Sequence, residues 1–142
     1  MTLIHNSNCL VLDAAIEQAS EVLKNQSKSV PAHLILGNGY LFKRDIPKAT
    51  KSFEEVIRLS PDHAIGYYQM GRTLLAQRRT KEATVQLEKA LSIQPNFFDA
   101  LNLIVIIYMN EKESKKAIER VEAQIKTSPQ NPFFYSMVGR LY

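Results

Sequence analysis

Pro61, Pro95 and Pro129 stand 34 residues apart, and this spacing constrains the fold more than any other feature of the chain. Inside a helix a proline clashes with the preceding turn and has no N–H to donate, so it ends helices. Three helix stops at equal intervals imply one structural unit used repeatedly. Other columns keep the same step. Twelve residues before each proline stand Ala49, Ala83 and Ala117, and eight before stand Phe53, Leu87 and Val121. At 24 before come Gly37, Gly71 and Val105, and at 21 before come Tyr40, Leu74 and Tyr108. Columns that agree independently of the prolines make the period a property of the fold.

Within each unit the apolar positions recur at i, i+3, i+4 and i+7, the pattern of an amphipathic helix. The sets are His33, Leu36, Gly37, Tyr40; Tyr67, Met70, Gly71, Leu74; and Leu101, Ile104, Val105, Tyr108. A second helix follows in each unit, marked by Ala49, Phe53, Val56, then Ala83, Leu87, Ala90, then Ala117 and Val121. Short polar stretches, KRDIPK, QRRTKE and NEKESK, separate the two. The spacing predicts an all-α chain with repeats at 30–63, 64–97 and 98–131, a leading helix at 11–29 and the first helix of a further repeat at 132–142. The mid-helix glycines are read as points of close helix approach, which outweighs a propensity cost of about 1 kcal/mol.

These residues resemble the tetratricopeptide repeat family. Its small positions match Gly37, Gly71, Ala49, Ala83, Ala117 and Ala90, its large ones Tyr40, Tyr67, Tyr108 and Phe53, and its closing prolines Pro61, Pro95 and Pro129. Departures are Val105 and Gln124 where small residues are usual, and Arg44, Arg78 and Lys112 where the turn glycine is usual. The resemblance implies a right-handed α-solenoid of antiparallel helix pairs that binds other proteins rather than catalysing a reaction.

At about 100° per residue, the first helix of each unit carries a second face beside its core stripe. It collects Asn38 and Leu41, Tyr68 and Arg72, Asn102, Ile106 and Met109, and Arg140. By the resemblance, this face lines a concave groove. Mixed apolar, aromatic and polar side chains suit a peptide or an amphipathic helix of a partner protein rather than a small polar ligand. Some family members grip a C-terminal carboxylate at positions that here hold Leu34, Asn38, Gln69, Asp99 and Leu103, of which Asn38 alone keeps the family's residue. Gln69 is also placed in the expected groove set, and the carboxylate clamp itself is not expected.

Other signals are weaker. Arg44, Arg78 and Lys112 recur at 34-residue steps as a basic edge for an anionic partner, but Asp45, Glu82, Glu111 and Glu113 are interspersed, so nucleic acid and membranes are not expected partners. The net charge is only +4. His5, His33 and His63 lack the spacing of metal ligands, and His33 is read as a core residue. Cys9, the single cysteine, is placed in a frayed polar terminus. No catalytic constellation, cofactor motif or small-molecule site emerges, so the chain reads as a non-enzyme without cofactors. The opening residues lack a basic start and an apolar run, which points to the cytoplasm, or to a periplasmic or membrane-tethered location if a longer parent chain has lost a signal. Phe133, Phe134 and Tyr142 mark an apolar end suited to self-association. A self-assembly module and a regulatory segment of a larger enzyme are the alternatives to an adaptor.

Overall fold

The computed structural model describes residues 2–142, with side chains from residue 7 onward, which leaves the His5 ring outside the described residues. The described residues form eight helices: α1 Thr2–Asn25, α2 Val30–Phe42, α3 Ile46–Leu59, α4 Ala64–Ala76, α5 Thr80–Ile93, α6 Phe98–Asn110, α7 Ser114–Thr127 and α8 Pro132–Leu141. They gather into two compact units, one ending at Asp62 and one running His63–Tyr142. In the first, α1 packs on α2 and α2 on α3; in the second, α4 to α8 pack each on the next.

The leading helix runs Thr2–Asn25 rather than 11–29. No proline or glycine interrupts residues 2–11, so nothing stops the helix there. At the other end Ser29 belongs to α2: its hydroxyl accepts from the Ala32 N–H at 3.4 Å, and Pro31 sits in the first turn, where a missing N–H is harmless. Cys9 accordingly lies within α1, half-buried, and not in a frayed end.

Each helix pair turns on three residues, 43–45, 77–79 and 111–113. Arg44, Arg78 and Lys112 take φ of 61°, 59° and 62°. The following residue donates back to Tyr40, Leu74 or Tyr108 at 2.8–3.0 Å, and the left-handed residue itself donates to Leu41, Leu75 or Met109. This is the Schellman closure, built three times without its usual glycine.

In the first two complete pairs the second helix presses a large side chain on a glycine of the first. A Cβ at Gly37 would overlap the Phe53 ring, and one at Gly71 would lie 2.8 Å from Leu87. In the third pair Val105 meets the matching position Val121; both are buried. Volume is traded across the contact: glycine with phenylalanine or leucine, valine with valine. That explains the departure at Val105.

In the second unit one core runs from Ala64 through Leu87, Leu101, Ile104 and Val121 to Phe134 and Met137. Gln124 takes a buried position matching Val56 and Ala90. Its Nε2 donates to the Pro95 carbonyl at 2.7 Å, and its Oε1 accepts from Arg120 at 2.9 Å. Arg120 also grips both oxygens of Glu88 at 2.7 Å, so the buried amide is fully partnered and ties α7 to α5. His33 is half-buried instead of buried. Ala32 and Leu36 take the core of that turn, and the His33 Nε2–H donates to the Ser27 carbonyl at 3.0 Å.

Gly37→Ala is expected to cost roughly 1–2 kcal/mol net, because overpacking against Phe53 exceeds the helix-propensity gain. Urea unfolding followed by circular dichroism checks this, and Phe53→Leu in the same chain should restore part of the loss.

Candidate functional site

Each complete pair fixes one side of its first helix against the second helix, and the neighbouring side is where the sequence places the groove. In the second unit that side carries a built cluster. Tyr68 on α4 is half-buried, and its ring lies 4.8 Å from that of Phe97, tilted by 43°. The Arg72 guanidinium sits 6.0 Å from the Tyr68 centroid, within cation–π range. Arg72 Nη1 also donates to Gln69 Oε1 at 2.8 Å. Burial pushes the Tyr68 hydroxyl above its usual 10.0; Arg72 opposes that and Asp99 adds to it.

Gln69 is therefore not a groove-lining residue. It is 6% exposed and holds Arg72 in place, since a buried amide needs a partner. Arg72 itself is exposed. On α6, Asn102 is half-buried while Ile106 and Met109 are 44% and 43% exposed. Arg140 on α8 is exposed. In the first unit, Asn38 is exposed and Leu41 half-buried on α2. Arg44, Arg78 and Lys112 are all exposed at their left-handed turns. Of the apolar end, Phe133 and Tyr142 are exposed but Phe134 is fully buried, so it belongs to the core and is closed to association.

Phe97 was not foreseen. It stands in the column of Ser29, His63 and Asn131, at the N-cap of α6. Ser29 and Asn131 cap their helices with side-chain oxygens at 3.4 Å and 3.0 Å. Phe97 makes no such bond and spends its side chain on the Tyr68 ring. A phenylalanine in a capping column was the readable signal. Phe98 likewise meets Phe133 at 5.7 Å, linking the starts of α6 and α8.

Among the described residues no cluster of three or more His, Cys, Asp or Glu is placed to hold a metal ion, and no helix is long and apolar enough to cross a membrane. Residues 74–141 match the family model of the tetratricopeptide repeat. Over those residues the chain carries the tetratricopeptide repeat. Its fold class is the all-α solenoid of helix pairs that the sequence implies. Anaphase-promoting complex subunit 3 of Schizosaccharomyces pombe is 26% identical over 117 residues, 80% of this chain and 18% of that protein. Hsp70-Hsp90 organizing protein 3 of Arabidopsis thaliana is 26% identical over 73% of this chain and 19% of its own length. The chain thus spans less than a fifth of these relatives. The crystal structure of MamA superposes with a TM-score of 0.71 at 27% identity, covering 92% of this chain and 77% of that one.

Two outcomes follow from this geometry. Arg78→Gly is expected to stabilise by about 0.5–1 kcal/mol, since relief of a left-handed side chain exceeds the entropy glycine adds to the unfolded state. Gln77→Gly, at φ −91°, should destabilise, and thermal melts of the two variants give the comparison. Tyr68 should titrate above the ordinary tyrosine value, so its contribution to stability is whole below that value and is lost as pH rises through the higher one. Arg72→Gln should move the titration further up. Ultraviolet difference spectra against Tyr68→Phe read this directly, and an ordinary Tyr68 titration would contradict the described burial.

Proposed function

We propose that the protein is a non-catalytic interaction scaffold that holds a peptide or amphipathic helix of another protein against the exposed side of α4, α6 and α8. The observation that carries this reading is the fixed guanidinium of Arg72. Gln69 and the Tyr68 ring hold it from two sides, beside an α6 that offers Ile106 and Met109 to solvent. A pre-positioned guanidinium loses little freedom on gripping a carboxylate, while long flexible apolar side chains adapt to a partner's apolar face. The partner chemistry that fits is an apolar segment bearing an acidic group. The names of two relatives, a subunit of the anaphase-promoting complex and an organizer of Hsp70 and Hsp90, support a role in bringing proteins together.

The test is affinity capture from extract of the native organism with wild-type protein and with Arg72→Glu combined with Ile106→Asp. Both positions are exposed, so the variant should keep its helical circular dichroism spectrum, and Ile106→Asp alone, which leaves the Arg72–Gln69 bond intact, controls for the partner that Gln69 loses. Loss of specifically captured proteins is the expected result. An unchanged set of captured proteins would remove this surface from consideration.

A further inference from the structure

The third pair is tied to the second helix before it by a bridge that the first pair lacks. Arg120 on α7 reaches both oxygens of Glu88 on α5 at 2.7 Å. Its side chain is only 19% exposed, so it occupies the space between those helices. Two periods earlier the same columns hold Ser52 on α3 and Ser20 on α1. Neither serine reaches across. The Ser52 hydroxyl donates to the Lys48 carbonyl at 2.9 Å, and the Ser20 hydroxyl donates to the Ile16 carbonyl at 2.7 Å, each within its own helix. Beside Ser52, the helices α1, α2 and α3 leave a hollow of about 230 Å³. All of its walls belong to the first unit.

Leu36 and Ser52, both buried, form the floor, and Leu23, His33 and Tyr40, half-buried, stand around it. Two ring-bearing walls suit an aromatic ring, which favours tilted or offset ring neighbours. The Lys48 ammonium, 5.3 Å from the Tyr40 centroid, adds a cation within reach of a π face. Volume sets the size of the occupant. A cavity of about 150 Å³ admits benzene, whereas small-molecule sites run from about 300 Å³ upward and enclose most of their ligand. A hollow rimmed by exposed Lys48 and Lys51 holds one side chain, with the polypeptide that bears it as the cover. The charges around it are settled with one exception. Glu55 accepts three bonds of 2.7–3.2 Å from Arg58, and Lys48 pairs with Asp45 at 3.2 Å. Lys51 acts on Glu55 only at a distance and pairs with no carboxylate among the described residues.

We propose that this hollow takes an aromatic side chain of a partner protein next to an acidic residue, the ring seated between His33 and Tyr40 and the carboxylate meeting Lys51. Apolar burial of the ring supplies the affinity. The exposed Lys51 contact is weaker and selects acidic neighbours. Every group involved lies in the first unit, so this docking point stands or falls apart from the surface on α4, α6 and α8.

The experiment is an amide NMR titration of the whole chain with the blocked peptide acetyl-Glu-Phe-Glu-amide at low salt. Shifts should gather on His33, Leu36, Tyr40 and Ser52. The alanine peptide acetyl-Glu-Ala-Glu-amide should bind at least about tenfold more weakly, and the neutral acetyl-Gln-Phe-Gln-amide about threefold more weakly. Lys51→Glu, at an exposed position, should weaken the acidic peptide by about threefold or more and leave the neutral one unaffected. Ser52→Arg with Ser20→Glu restores the residue types of the bridge, so it should abolish the shifts while the circular dichroism spectrum stays helical. Should that variant not fold, the peptide series and Lys51→Glu still decide. Absence of shifts at the hollow, equal binding of all three peptides, or indifference to Lys51→Glu would each overturn the proposal. Phenylacetate binding as tightly as the acidic peptide would also overturn it, and would assign the hollow to a free aromatic acid.

Discussion

The tight contact between the two helices of a pair governs the rest. Two helices joined by three residues can approach closely only if one of them yields volume where the other projects it. The chain meets this condition by sharing a fixed volume between two positions sixteen residues apart. Where the first helix gives up its side chain, at Gly37 and Gly71, the second contributes Phe53 or Leu87; where it keeps Val105, the second shrinks to Val121. Close packing makes such a contact sensitive to a single methyl group. Complete burial of the larger partner contributes on the order of 2–3 kcal/mol, more than the glycine costs the helix.

Once that side of the first helix is committed, its neighbouring side becomes the part free to vary. The turns follow the same logic. Tyr40, Leu74 and Tyr108 receive the closing hydrogen bonds, so the turn geometry is fixed by backbone, and the left-handed residue can carry any side chain that tolerates the strain. In all three turns it is lysine or arginine, which suits the negative end of a helix. The groove side shows a different economy. Arg72 is exposed yet held, and the residue that holds it, Gln69, is buried to do so. Chemistry facing outward thus depends on polar groups facing inward.

The helix pairs were legible because packing imposes the period, and packing acts on residue types that sequence displays directly. What escaped reading depends on partners outside that period. Gln124 looked like a defect in a column of small residues, and its justification is a carbonyl at Pro95 and a guanidinium at Arg120, neither of which the column contains. Phe97 was hidden because its partner ring, Tyr68, lies a repeat away. The misreading of Phe134 has another origin. Its column holds Ala32, Gly66 and Ala100, all buried; attention to aromatic bulk concealed that the column faces inward. The start of α1 escapes the sequence because residues 2–11 lie outside the 34-residue period, while no proline or glycine there stops the helix.

The position of α8 follows from the physics of repeats. In a stack, each element draws its order from the elements beside it, and an isolated helix shorter than about 12 residues is marginal in water. With 10 residues, α8 is such a helix; it packs on α7 and meets α6 through Phe133 and Phe98. Phe134 and Met137, both buried, anchor it through the side shared with the preceding pair. The Asn131 cap and Pro132 fix its start, and the Tyr142 hydroxyl reaches Glu122 at 3.0 Å near its end. The helix is therefore held along one side and at both ends while the side bearing Gly139 stays open. A first helix thus takes its shape from the preceding pair, before any second helix packs on it.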